Sequence, residues 1–302
     1  MSNKSLDGVL TKKAHQRERF TEEQIADLVA CSDEKTGFEA FAKKFFFIQH
    51  PVKGKCIFEP FAYQTRLLHS YHDFRFNINM LPRQSGKTTT AACYLLWYAM
   101  FHPDQTILIA AHKYTGAQEI MQRIRYGYEL CPDFVRAGVT NYNKGSMEFE
   151  NGSRIVSATT TGNTGRGMSI SLLYCDEFAF VRNNIATEFW TSISPTLATG
   201  GKAIITSTPN SDEDQFWLLW TEANKTLDNF GNENEGGVGV NGFHAFKALW
   251  NEHPDRDKDW ADASKFLILL VNPFTKLTSN FASLRRESIL LDKPSSLLPS
   301  EE

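Results

Sequence analysis

Between residues 74 and 101 the hydrophobic period changes once, and that change constrains the fold more than any other stretch. Phe74, Phe76, Ile78 and Met80 alternate with polar residues, which is the period of a strand. The run enters Pro82-Arg83-Gln84-Ser85-Gly86-Lys87-Thr88, and an apolar-rich helix is expected from Thr88 to Phe101, stopped by His102-Pro103-Asp104. A strand delivered through a glycine turn into a helix N-terminus gathers unpaired backbone N–H groups at one place. The helix dipole favours negative charge at that place.

The common phosphate-binding loop reads G-x-x-x-x-G-K-[ST], and here Leu81 occupies the first glycine position, so only Gly86-Lys87-Thr88 matches. That half carries the chemistry. Gly86 lets the backbone approach phosphates, Lys87 reaches the β- and γ-phosphates, and the Thr88 hydroxyl is a Mg²⁺ ligand. Arg83, Gln84, Ser85 and Thr89 complete the expected ATP-binding stretch.

The rest of the chain fits the same architecture. A capping-box spacing at Thr21-Glu22-Glu23-Gln24 opens a helix to about Ala30, and Phe38, Phe41 and Phe45 mark a second with a packed face. Further helices are expected over Phe61–Tyr71 and about Thr115–Leu130, and strands over Thr106–Ala110, Ser171–Cys175 and Lys202–Ser207. Asn151-Gly152 between Ser146–Glu150 and Ser153–Ala158 is a hairpin signal. Alternating strands and helices predict an α/β fold with a mostly parallel sheet flanked by helices.

A second acidic site completes the pattern. The apolar strand Leu172-Leu173-Tyr174-Cys175 ends in Asp176-Glu177, placing Asp176 on the Mg²⁺ shell and Glu177 as the general base that polarises the attacking water. An acidic pair after an intervening strand marks the additional-strand, catalytic-glutamate class of P-loop NTPases. Arg83 inside the loop can reach a γ-phosphate in cis. Arg166, in Thr164-Gly165-Arg166-Gly167, suits an arginine finger; the alternatives are a surface arginine or one touching DNA phosphate. Tyr63 and Gln64 can stack on and read an adenine, and Thr206, Ser207 and Thr208 end a strand beside the expected γ-phosphate.

Composition narrows the classes. A net charge of −3 offers no bulk positive field for nucleic acid, so any DNA contact must be local. Five scattered cysteines without a C-x-x-C pair argue against a disulfide framework or zinc site. The apolar runs Tyr94–Phe101 and Phe266–Val271 are too short to span a bilayer.

The combination resembles the large terminase subunit of tailed bacteriophages, especially the T-even type. The matching residues are Arg83-Gln84-Ser85-Gly86-Lys87-Thr88, Ala111-His112-Lys113, Asn143-Lys144-Gly145-Ser146, Arg166-Gly167, Asp176-Glu177 and Thr206-Ser207-Thr208-Pro209-Asn210, within about Phe61 to Trp220. The resemblance implies an ATPase that pumps double-stranded DNA into a procapsid through a portal. It implies ATP and Mg²⁺ as cofactors, and portal protein and small terminase subunit as partners. It also implies a homo-oligomeric ring in which Arg166 acts on a neighbour's ATP, in the cytoplasm of an infected bacterium and not in the mature virion. By the same resemblance Gln64 matches the adenine motif, and Thr206–Thr208 match the motif coupling hydrolysis to DNA movement.

Three parts are expected: a helical N-terminal arm or subdomain over 1–58, an ATPase core over 59–228, and a linker, partial lid and divergent tail over 229–302. About forty residues follow Trp260, too few for the family's nuclease domain, so no nuclease activity is expected of this chain. Asp255, Asp257 and Asp259 read as a solvated acidic turn. Two other functions fit: a helicase-like DNA translocase, and a chain that binds ATP without turnover because its lid is incomplete.

Overall fold

In the computed structural model the described residues are 10–16, 18–227, 234–257 and 259–260. Residues 1–9 and 17 of the N-terminal arm, residues 229–233 of the Gly/Asn-rich linker, the apolar run Phe266–Val271 and the divergent tail lie outside them.

Local chemistry sets the first elements. Thr21 caps α1 (Glu22–Ser32) by accepting from the Gln24 N–H at 3.2 Å, and Gln24 Oε1 accepts from the Thr21 N–H at 2.9 Å. In α2 (Gly37–Phe45) the expected aromatic face is buried, with Phe38 edge-on to Trp97 at 5.6 Å. A short antiparallel hairpin, β1 (Phe47–His50) and β2 (Gly54–Ile57), follows, then α3 (Ala62–Asp73).

Strand β3 (Phe76–Met80) leads into α4 (Lys87–Phe101), and β4 (Thr106–Ala111) into α5 (Tyr114–Leu130). Next come β5 (Val139–Tyr142), β6 (Ser146–Phe149), β7 (Arg154–Thr159) and β8 (Leu172–Asp176). The chain then runs through α6 (Asn183–Ile193), β9 (Lys202–Ser207), α7 (Gln215–Ala223) and β10 (His244–Lys247). Among the described residues β3 to β10 form one sheet in the order β10-β3-β9-β8-β4-β7-β6-β5. Within that sheet the β5–β6 and β6–β7 pairs are antiparallel and the others parallel, and the Asn151-Gly152 turn joins β6 to β7 as expected.

Strand alternation sorts the core into two layers. Ile107, Ile109, Leu172 and Tyr174 face α1–α5, whereas Leu108, Ala110, Leu173 and Cys175 face α6 and α7. The N-terminal helices share the first layer: Trp97 Nε1 of α4 donates to the Cys31 carbonyl at 2.8 Å. Burying a side chain of this class contributes roughly 1.5–3 kcal/mol, so α4 is held from both sides, and with it the loop at its N-terminus.

Candidate active site at the carboxyl edge of the sheet

Register brings the distant motifs together. Met80 of β3 pairs with Ser207 of β9, and Thr206 of β9 pairs with Asp176 of β8, so three strands end at one level. The strand between the phosphate loop and the acidic pair is therefore β9. Strand β4, which follows α4 in sequence, lies on the far side of β8. This is the inserted-strand arrangement, and it puts Thr206, Ser207 and Thr208 between the two halves of the site.

The loop is held in shape by its carbonyls. Gln84 and Gly86 take φ of 57° and 74°, and a Cβ at Gly86 would overlap Gln64 Nε2. The Ser85 carbonyl accepts from the Tyr63 hydroxyl at 2.6 Å and from Gln64 Nε2 at 3.0 Å. Arg256 donates to the carbonyls of Arg83 and Gln84, each at 2.9 Å. With these carbonyls tied back, the first N–H groups of α4, which have no intrahelical acceptor, are left for an anion. Ser85 Oγ is buried and, among the described residues, has no hydrogen-bond partner, which makes it a donor suited to a phosphate oxygen.

Lys87 is 6% exposed and its Nζ lies 2.6 Å from Glu177 Oε1. Glu177 sits at φ 50°, a left-handed conformation that costs a non-glycine residue about 1–3 kcal/mol and is sustained by its contacts. Its Oε2 accepts from the Thr208 N–H and hydroxyl, both at 3.2 Å, and lies 3.3 Å from Ser207 Oγ. Burial pushes the Glu177 carboxyl up, but Lys87 and the Thr208 donors outweigh it and hold the group below its ordinary value.

Asp176 is 8% exposed and accepts from the Tyr174 hydroxyl at 3.0 Å. Burial and the neighbouring Glu177 charge push its carboxyl up to about 6, against the attraction of Lys87 and Arg123. A buried carboxylate and a threonine hydroxyl are both hard oxygen donors, so the chemistry of Asp176 and Thr88 suits Mg²⁺.

The other expected residues divide. Tyr63 and Gln64 are buried, and both ends of the Gln64 amide are committed, Oε1 accepting from the Phe61 N–H at 2.9 Å and Nε2 donating to Ser85. In this arrangement both residues brace the loop through the Ser85 carbonyl. The Arg83 guanidinium is exposed and lies 5.7 Å from the Phe180 ring centroid. Arg166 is exposed on the turn after Thr160 and, among the described residues, makes no hydrogen bond or ion pair with Lys87, Asp176 or Glu177. Thr206 is buried, 3.4 Å from Asn79 Nδ2. Thr89 Oγ1 accepts from Arg123 at 3.3 Å. Asp257 caps a turn by accepting from the Trp260 N–H at 2.7 Å.

Sequence reasoning missed Arg256 and Arg123. Arg256 reaches the loop across 172 residues from Gln84, and no local pattern announces that. Arg123 sits on the exposed face of α5, where an arginine reads as solvated.

The family model for "Terminase large subunit, T4likevirus-type, N-terminal" matches residues 78–275. Among solved structures, the Thermus phage P74-26 large terminase ATPase domain aligns over 75% of this chain and 94% of its own, at 18% identity and TM-score 0.54. The bacteriophage HK97 large terminase aligns over 85% of this chain and 52% of its own, at 18% identity and TM-score 0.56. A large terminase from another thermophilic bacteriophage, solved in complex with ADP, aligns over 68% and 50%, at 12% identity and TM-score 0.50. The chain thus spans about half the length of the HK97 and ADP-bound proteins, and at these identities the likeness shows a shared fold.

Proposed function

The chain belongs to the T4-type terminase large-subunit family, matching its N-terminal part, and we propose that it hydrolyses ATP to drive double-stranded DNA into a procapsid. The observation that carries the reading is the contact chain from Lys87 through Glu177 to Ser207 and Thr208, which joins a phosphate-binding group, a base and a strand end.

In this reading the loop N–H groups, Ser85 and Lys87 hold the β- and γ-phosphates. Thr88 and Asp176 hold Mg²⁺, which when bound neutralises developing phosphate charge. The Glu177 carboxylate, kept ionised by Lys87 and Thr208, orients a water and accepts its proton as the water oxygen attacks the γ-phosphorus. The bond from that phosphorus to the β–γ bridging oxygen breaks, the electron pair leaving with ADP. Since Thr208 donates twice to the same Glu177 oxygen, a change at the carboxylate during turnover is felt at the end of β9. That contact supports the role of Thr206–Thr208 in coupling.

Arg83 has no acidic partner among the described residues and is close enough in sequence to serve the same site. The exposed position of Arg166 supports a role toward an ATP on a neighbouring subunit of a portal-bound ring. The ADP held by the thermophilic-phage terminase supports an adenine nucleotide as ligand. The partners that go with this function are the portal protein and the small terminase subunit, and the place is the portal vertex in an infected bacterium.

Mixing the purified chain with portal-bearing procapsids, linear DNA and Mg²⁺-ATP tests the proposal. ATP-dependent protection of the DNA from nuclease is the expected result. ATP turnover with strand separation and no protection would favour a helicase-like translocase instead.

A further inference from the structure

A chain of net charge −3 must concentrate positive charge locally to hold DNA, and the outer face of α5 is one place where it does so. On one side of α5 stands the β1–β2 hairpin. On the other stands the β5–β6 turn at Asn143-Lys144-Gly145, which the nucleotide chemistry does not use. A cavity of about 400 Å³ lies between α5 and that turn, lined by Gln118, Gln122, Arg125, Tyr126, Glu129 and Lys144. Gln122 and Tyr126 also line the space between α5 and the hairpin, so the surface is continuous across the helix.

The free charge on this face is positive. From Phe46 to Phe58 the hairpin carries Lys53 and Lys55 and no acidic residue, and both lysines are exposed. Lys144 is exposed as well, and none of the three makes an ion pair among the described residues. The two acids that line the face are matched. Glu129 accepts from the Tyr142 hydroxyl at 2.5 Å and lies 3.9 Å from Arg125, and Glu119 is one helical turn from Arg123. The Arg125 guanidinium lies 5.0 Å from the Tyr142 ring centroid, a stacking that fixes its donors in place.

Spacing suits a phosphate backbone. Gln118, Gln122 and Arg125 recur at i, i+4 and i+7, forming one stripe of α5 about 10 Å long. One strand of duplex DNA presents about three phosphates over that length. Amide and guanidinium N–H groups donate to phosphate oxygens, which position a duplex without reading its sequence. We propose that the outer face of α5, flanked by Lys53, Lys55 and Lys144, holds the sugar-phosphate backbone of double-stranded DNA independently of sequence. This rests on the DNA-packaging reading of the chain.

Fluorescence anisotropy of a labelled duplex of about 30 base pairs with the full chain and ATPγS, from about 50 to 200 mM KCl, tests it. Lys144→Ala and Lys55→Ala, both at exposed positions, are each expected to reduce the slope of log K against log salt by about 0.9. The loss should be the same for duplexes of unrelated sequence, and turnover without DNA should not change. Lys35→Ala, an exposed cation between α1 and α2, is the control and should leave the slope as it is. An unchanged slope in Lys144→Ala and Lys55→Ala, or an equal loss in Lys35→Ala, would overturn the proposal. Poly-glutamate stands in for the other occupant, an acidic protein segment; it should not displace the duplex at equal charge, and displacement overturns the assignment to DNA. Wild-type chain that binds no duplex sinks the packaging reading itself. Wild-type chain that binds duplex as well as its variants do sinks only this surface.

Discussion

Replacing Gln64 separates two roles that its place in the sequence leaves open. In the structure the Gln64 amide caps the start of α3 through the Phe61 N–H and ties the Ser85 carbonyl of the phosphate loop to the same helix. Gln64→Ala removes both bonds from a site only 3% exposed. At about 1 kcal/mol for each net hydrogen bond, the loss is about 2 kcal/mol. For a domain of this size that lowers Tm by roughly 4–8 °C. The Ser85 carbonyl keeps the Tyr63 hydroxyl at 2.6 Å, so the loop loosens without collapsing.

Calorimetric melting and the ratio of ATP to GTP affinity give the two readouts. A brace predicts the melting shift, weaker binding of both nucleotides, and an unchanged ratio. Coupling to Gly86 sharpens the test, since a Cβ at Gly86 would overlap Gln64 Nε2. Gly86→Ala therefore suffers two penalties in the wild type but only the left-handed backbone term, about 1–2 kcal/mol, in the Gln64→Ala background. The double-mutant cycle is expected to be non-additive by about 1 kcal/mol. A collapse of the ATP/GTP ratio with no melting shift would refute the brace and restore Gln64 as a base reader.

Three further outcomes follow from the same contacts. Lys87→Ala should abolish turnover and weaken nucleotide binding, as measured by phosphate release and by titration of a fluorescent nucleotide, because it removes the buried cation of the phosphate site. Thr208→Val deletes the hydroxyl donor to Glu177 but keeps the backbone N–H, so kcat should fall about tenfold with KM little changed, in line with about 1.4 kcal/mol for one charge-assisted bond. Arg256→Ala frees the Arg83 and Gln84 carbonyls and should weaken binding of nucleotide and tripolyphosphate alike by about tenfold, read by titration calorimetry.

Much of the site was legible because its chemistry is contiguous. A glycine that must take φ 74°, a lysine, and a hydroxyl at the start of a helix form one short segment, and an apolar strand ending in two carboxylates forms another. The β6–β7 hairpin was legible for the same reason, through Asn151-Gly152. Spatial order was not. Strand β9 comes later in the chain than β8 yet lies between it and β3, which period and turn signals cannot express. Strands β1, β2, β5 and β10 have four residues each, too few for a period to stand out, and unlike the equally short β6 they have no Asn-Gly turn beside them. Gln64 shows the limit of reading a residue by type. An amide that can read a base can equally serve an N-terminus and a loop carbonyl, as Gln64 does here, and residue type alone does not choose between the two roles.

The central claim is that Glu177, held between Lys87 and Thr208, is the base of an ATPase. Steady-state phosphate release from Mg²⁺-ATP, measured beside nucleotide binding for the wild type and Glu177→Ala, tests it most directly. The account predicts turnover by the wild type, and binding without turnover by Glu177→Ala. Phosphate release by Glu177→Ala at the wild-type rate would contradict it.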